Sequence, residues 1–241
     1  MTEFIKACIQ ANQEIKEAIQ DGFDASWFEK TEVGAGGDVS SRLDLMAEAI
    51  FVKHLGSFGQ IESEESGLIG EGEVKIIIDP IDGSANALSL FPFYGSSVAK
   101  VNAEGILDEA IVCNLANNDI FFTTKTHGVQ QGKLFSNTFC APYTVPHAEV
   151  GLFEKAYANP TLVALLDEEN LKFRAPGAVA LSLAYARSVK YVLFVGSFRI
   201  YDFAAGLALC EGLEVIVEED YVIVSKEKNI ALKIETLIKS L

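Results

Sequence analysis

The chain reads as an α+β half followed by an α/β half. Apolar residues recur at helical spacing near the start, at Phe4, Ala7, Cys8, Ala11, Ile15, Ala18 and Ile19. The middle of the chain is sheet-rich, with runs at Val74–Ile78, Ser96–Val101, Ala110–Asn114 and Asp119–Thr124. Farther on, helical and strand patterns alternate, as in an α/β unit. The change falls near residues 135–150, where Pro142 and Pro146 punctuate the chain. The expected units are therefore residues 1–140 and 141–241.

The first amphipathic helix is expected to end near Asp21-Gly22. A glycine-rich stretch, Gly34-Ala35-Gly36-Gly37-Asp38, precedes a second helix starting near Ser40–Ser41 and running to Leu55-Gly56. Ile61 to Glu65 reads as a strand end leading into a loop at Gly67 and Gly70. Val74 to Ile78 is β-branched and reads as a buried strand, expected to stop at Asp79-Pro80 because proline cannot donate to a ladder. Turns are expected at Ala103-Glu104-Gly105 and Asn117-Asn118. Beyond a mixed stretch from Phe153 to Tyr157, helices are expected at Val179–Ala186 and Phe203–Glu211, with a strand between them at Tyr191–Val195. A hairpin at Val215–Val217 and Tyr221–Val224 leads to a last helix over Glu227–Leu241.

The 241 residues are 49% hydrophobic, enough to bury a sizeable core in one large domain or two closely packed ones. No apolar run approaches the ~20 residues needed to span a bilayer. Met1-Thr2-Glu3-Phe4-Ile5-Lys6 lacks the basic and apolar regions of a signal peptide, so a cytoplasmic protein with no membrane partner is expected. The net charge of −15 and the absence of a Lys/Arg-rich stretch argue against direct nucleic-acid contact. An acidic surface also repels anionic substrates, so a phosphate ester would need local cations. Cys8, Cys113, Cys140 and Cys210 are widely spaced and read as small buried hydrophobes rather than as a zinc site or a cysteine-dependent phosphatase loop.

Asp79-Pro80-Ile81-Asp82-Gly83 follows the buried strand directly. A strand end is a rigid platform, Gly83 allows unusual backbone angles, and Ser84 could start a short helix whose N–H groups suit a phosphate oxygen. Two carboxylates beside such amides make sense around Mg²⁺, which joins carboxylates to substrate phosphates. Taken alone, the same residues also make an ordinary strand-terminating turn. Likewise Glu64-Glu65 reads as solvated charge or as a ligand-bearing strand end, and Asp202 as a helix N-cap or a ligand.

Taken together, the segments Glu64-Glu65-Ser66, Asp79-Pro80-Ile81-Asp82-Gly83-Ser84-Ala85-Asn86 and Asp202-Phe203-Ala204-Ala205-Gly206 resemble the inositol monophosphatase / fructose-1,6-bisphosphatase superfamily in order and spacing. Phe91-Pro92-Phe93 and the hairpin from Phe121 to Gly132 extend the likeness, which spans about residues 30 to 225. The resemblance implies a layered αβαβα sandwich and a magnesium-dependent phosphatase. It implies metal ligation by Glu64, Asp79, the Ile81 carbonyl, Asp82 and Asp202, with two or three Mg²⁺ ions and sensitivity to lithium. Asp44 and Ser84 would help activate the attacking water, with Glu64 as part of the catalytic set. Gly83 and Ser84 would offer backbone N–H groups to the phosphate.

The chain departs from the animal-type pattern at Val33, where a Lys is usual, and at Val195, where a substrate-binding Glu is usual. Arg174 and Arg199 instead resemble archaeal enzymes with combined inositol monophosphatase and fructose-bisphosphatase activity, and are candidate substrate contacts. The expected substrate is a small polyol or sugar phosphate, with a nucleotide such as 3′-phosphoadenosine phosphate or NADP as an alternative. A homodimer is expected. The second functional reading is a regulatory partner of the transcription or ribosome-assembly machinery.

Overall fold

The computed structural model describes residues 1–20, 25–37 and 39–241. The expected end of the first helix at Asp21-Gly22, and Asp38 in the glycine-rich stretch, lie outside the described residues. In chain order the first elements are α1 (Glu3–Gln20), β1 (Lys30–Val33), β2 (Val39–Ser41), α2 (Arg42–Leu55), β3 (Gln60–Ser63), β4 (Gly67–Ile69), β5 (Lys75–Asp82) and α3 (Ser84–Leu88). There follow β6 (Gly95–Val101), β7 (Leu107–Asn114), β8 (Asp119–Thr124), β9 (Gly128–Lys133) and β10 (Phe139–Cys140). The last stretch holds β11 (Gly151–Glu154), α4 (Pro160–Glu168), β12 (Phe173–Arg174), α5 (Val179–Ala184), β13 (Val192–Val195), α6 (Ile200–Ala208), β14 (Glu214–Val217), β15 (Tyr221–Ser225) and α7 (Lys228–Lys239).

Two sheets organise these elements. The larger has the order β10-β9-β8-β7-β6-β5-β3-β4 and is antiparallel except where β3 runs parallel to β5. The smaller has the order β12-β11-β13-β15-β14, with β11 parallel to both its neighbours.

The period of two along β5 decides the layering. Ile76 and Ile78 face a core shared with Phe4, Ile5, Ile15, Leu43 and Phe51 of α1 and α2. Ile77 points the other way, into a core with Ala180, Leu181, Ala205 and Leu209, from α5, α6 and the residue that ends α6. Those two helices turn their remaining apolar positions, Val179, Leu183 and Phe203, onto Val192, Phe194, Val222 and Val224 of the smaller sheet. Its far face packs Phe153, Leu193 and Ile223 against Leu162, Leu166, Ala231 and Ile234 of α4 and α7. The result is five layers, α1/α2, sheet, α5/α6, sheet, α4/α7: an αβαβα sandwich. Among the described residues, no helix is long and apolar enough to cross a membrane.

Several sequence expectations are corrected. The strand expected to stop at Asp79-Pro80 continues as β5 to Asp82. Asp79 pairs with Ser97 and Asp82 with Gly95, and the register shifts between them. That irregularity accommodates Pro80, which brings no N–H to the ladder. Gly67, expected in a loop, starts the short strand β4, and the hairpin β1–β2 and helix α4 were not foreseen. The helix expected from Phe203 begins at Ile200, with Arg199 as N-cap, so Asp202 is inside the first turn and is not the cap. Cys140, expected to be buried, is exposed because its two-residue strand is the sheet edge, whereas Cys8, Cys113 and Cys210 are buried.

Leu181 is fully buried in the central layer and Leu232 is 44% exposed on α7. Leu181→Ala is expected to cost about 2–5 kcal/mol in urea denaturation, and Leu232→Ala within about 0.5 kcal/mol.

Candidate metal centre

β5 delivers Asp79 and Asp82 to one end of the large sheet, and both are buried. β3, its parallel neighbour, delivers Glu64 beside them, with the Glu64 N–H donating to the Ile78 carbonyl at 3.1 Å. α6 contributes Asp202 from the central layer, also buried. Carboxylate oxygens of Glu64, Asp79 and Asp202 all lie within 4.8 Å of one another. Three converging oxygen donors suit a hard cation such as Mg²⁺ and not a soft one.

Electrostatics points the same way. Burial, then the charges of Glu64 and Asp82, push the Asp79 carboxyl well above the usual carboxylate range. Burial likewise raises Asp82, against a hydrogen bond from the Leu181 N–H at 2.8 Å. That bond has a structural meaning. Helix α5 follows Ala178, which has no side chain able to cap it, and no side-chain cap is present at that residue. Asp82 supplies the missing acceptor from another sheet. Glu154, at the end of β11, completes the arrangement by accepting from Gly177 N–H at 3.0 Å, Ala178 N–H at 3.4 Å and Ser182 Oγ. Burial raises the Glu154 carboxyl too.

Arg199 ties the two sides of the centre together. Its Nη1 donates to Glu64 Oε1 at 2.7 Å, its Nε to Asp202 Oδ2 at 2.9 Å and its Nη2 to Asp202 Oδ1 at 3.2 Å.

The loop after β5 is shaped for close approach. Gly83 has φ +86°, and a Cβ there would lie 3.0 Å from the Ala178 Cβ and 3.2 Å from the Gly177 carbonyl oxygen. Ser84 opens α3 and donates through Oγ to Asp44 Oδ1 at 2.7 Å and to the Ile81 carbonyl at 2.9 Å. Asp44 is held in turn by a capping box, its Oδ2 accepting from Ser41 N–H at 2.8 Å and Ser41 Oγ at 2.7 Å. The β1–β2 turn lies against Glu64, with Gly36 N–H donating to its carbonyl at 2.7 Å. A Cβ on Gly36 would stand 2.5 Å from Glu64 Cγ, so only glycine lets the turn come this close.

A cleft of about 600 Å³ opens over these groups. It brings together Asp44, Glu64, Asp79, Ile81, Asp82, Gly83, Ser84, Arg199 and Asp202, all singled out from sequence. Arg174 is not among its lining residues; it is exposed on β12, where its Nη1 bonds the Phe173 carbonyl. Val195 ends β13 and does not line the cleft either. The Val33 side chain lies outside the described residues.

Sequence reasoning missed Glu154, at the end of β11, and Lys155 and Tyr157, in the turn that follows it, all of which line the cleft. It also missed buried Glu48, which accepts from Ser66 N–H at 3.0 Å and Ser66 Oγ at 2.6 Å and so fixes the turn carrying Glu64. Glu48 lies one helical turn after Asp44, a spacing that could have flagged it.

Known proteins supply the comparison. The profile of the inositol monophosphatase family matches residues 1–217. The chain is 31% identical over 220 residues to the fructose-1,6-bisphosphatase/inositol-1-monophosphatase of Methanothermobacter thermautotrophicus, covering 82% of this chain and 75% of that one. It is 27% identical over 218 residues to the bifunctional NADP phosphatase/NAD kinase of Methanococcus maripaludis, covering 79% of this chain but only 38% of the relative. The match therefore spans about two-fifths of that longer protein. The chain is 30% identical over 194 residues to Nus factor SuhB of Escherichia coli K12, covering 76% of this chain and 72% of the relative. In structure, the extragenic suppressor protein suhB of Bartonella henselae superposes with a TM-score of 0.81 over 99% of each chain at 21% identity, a likeness of fold.

The raised Asp79 carboxyl fixes the sign of a pH effect. A carboxyl whose pKa is higher folded than unfolded favours folding at low pH, and the benefit is lost as pH rises through the folded value. With divalent cations chelated, Asp79→Asn is expected to raise the Tm at neutral pH. The gain should vanish below the ordinary Asp value of 3.8. Thermal melts across pH in EDTA check this.

Proposed function

The chain belongs to the inositol monophosphatase family, and on that footing we propose that it is a Mg²⁺-dependent phosphomonoesterase acting on a small polyol or sugar phosphate. The observation that carries the proposal is the convergence of Glu64, Asp79 and Asp202, with oxygens within 4.8 Å, on the wall of a cleft large enough for such a substrate. Glu64, Asp79, Asp82, Asp202 and the Ile81 carbonyl would hold the ions, two or three in number. Bound there, Mg²⁺ supplies Lewis acidity, making water nucleophilic near neutral pH and offsetting phosphoryl charge.

The remaining roles fall to the chain itself. The Ser84 hydroxyl, bonded to Asp44 at 2.7 Å, offers a route for a proton leaving the attacking water. Asp44 is oriented for this by the Ser41 capping box. Amides of the Gly83–Ser84 turn, at the start of α3, would be offered to the phosphate, with no Cβ on Gly83 in the way. Arg199 faces the same cleft and is suited to a phosphate oxygen pair. No covalent enzyme intermediate is required.

Inositol monophosphate and fructose 1,6-bisphosphate are the leading substrates, supported by the Methanothermobacter relative. The NADP phosphatase relatives keep the 2′-phosphate of a dinucleotide in the panel. A second reading, a regulatory partner of the transcription machinery, draws its support from the likeness to Nus factor SuhB. Co-elution of this chain with purified RNA polymerase would favour it.

Phosphate release from these three substrates, with and without Mg²⁺, tests the main proposal. Turnover of at least one, dependent on Mg²⁺, is expected; no turnover of any would refute it. Asp82→Asn should lower Mg²⁺-dependent kcat by more than about a hundredfold. Because Asn can still accept the Leu181 N–H, circular dichroism and the Tm should show an intact fold.

A further inference from the structure

Arg199 stands in an unusual relation to the candidate ligands. It is the N-cap of α6, with φ −121° and ψ 134°, so its backbone is extended while its side chain folds back over the first helical turn. Three of its nitrogens are committed at once: one to Glu64 and two to the two oxygens of Asp202. Glu64 and Asp202 come from different layers, the large sheet and the central helices. The guanidinium is therefore a cation that joins the carboxylate following β3 to the carboxylate from α6. Its side chain is 30% exposed, against 11% for Glu64 and 5% for Asp202, so it lies on the cleft side of the pair.

A divalent ion held by Glu64, Asp79 and Asp202 would bind to two carboxylates that the guanidinium already engages, and would sit beside its fixed positive charge. Resting on the reading of these carboxylates as metal ligands, we propose that Arg199 is a resident counter-cation that the metal must displace. Metal binding then does two things. It takes over the neutralisation of Glu64 and Asp202, and it releases the guanidinium into the cleft, where a planar fork matches two phosphate oxygens. Arg199 thus makes the anion-binding form of the cleft conditional on the metal. The paired form also lowers apparent metal affinity by the fraction of molecules in which the pair is open. Arg199 is in this sense a positioning residue whose partner changes with metal occupancy.

The test is metal binding to the substrate-free protein. Titration calorimetry with Mg²⁺, and with Mn²⁺ read by electron paramagnetic resonance, is done on wild type, Arg199→Gln, Arg199→Lys and Asp79→Asn. Arg199→Gln keeps a polar side chain but forms no ion pair, so it should bind the metal on the order of tenfold more tightly than wild type. Arg199→Lys keeps the charge but cannot fork across two carboxylates, so it should also bind more tightly than wild type. Unchanged or weaker binding in Arg199→Gln would overturn the proposal and make Arg199 a support for the ligands. Tight binding in Arg199→Gln with wild-type affinity in Arg199→Lys would also overturn it, leaving only bulk charge. If wild type and Asp79→Asn bind the metal equally, the metal-ligand reading itself fails, which is a separate result. Should Arg199→Gln not fold, Arg199→Lys alone decides: affinity equal to or below that of wild type refutes the displacement.

Discussion

Buried carboxylates repel one another, and this chain buries several at one place, among them Glu64, Asp79, Asp82 and Asp202. Desolvation and mutual charge raise the Asp79 and Asp82 carboxyls, and the fold holds them there regardless. Such an arrangement persists only when the surrounding structure fixes the groups and compensates the charge. Much of the architecture around the cleft can be read as meeting those two requirements.

Fixation comes from the layering. β5 lies inside the large sheet, between β6 and β3, and is packed on both faces, so Asp79 and Asp82 sit on a rigid strand end. Asp82 accepts from the first turn of α5, which anchors the central layer to the large sheet. Glu154 accepts from the turn before α5, which anchors the same helix to the small sheet. One helix start is therefore held by carboxylates from two sheets. That is why the cleft opens at this corner, with Gly83 and Gly177 close together beneath it. Compensation comes in part from Arg199, which bridges Glu64 and Asp202. A divalent cation among the same oxygens would complete it.

The sequence was most legible where a single period or a short run settled the matter. The alternation Ile76-Ile77-Ile78 marks a strand buried on both faces, and the structure divides those three residues between two cores. Pro80 misled because its ladder position was judged by its missing donor alone; the register shift between Asp79 and Asp82 removes the need for one. Asp202 was singled out as a ligand by family resemblance, while its residues alone also allowed a cap, because a helix start cannot be fixed to within a turn from Arg199-Ile200-Tyr201-Asp202. Glu154 and Glu48 were not found. Their partners, Gly177, Ala178 and Ser66, are 18 to 24 residues away along the chain; the spacing from Asp44 hints at Glu48, but no local pattern announces Glu154 as an acceptor that serves another element. Arg174 matched a family pattern in sequence, yet its place on the edge strand β12 leaves it outside the cleft lining.

If the carboxylates of Glu64, β5 and α6 form one metal centre, a divalent ion binds there and not elsewhere on the acidic surface. Anomalous diffraction from crystals soaked in Mn²⁺, a scattering substitute for Mg²⁺, tests it most directly. A strong anomalous peak bonded to oxygens of Glu64, Asp79 and Asp202 is expected. Peaks confined to surface carboxylates, with none at that cluster, would contradict it.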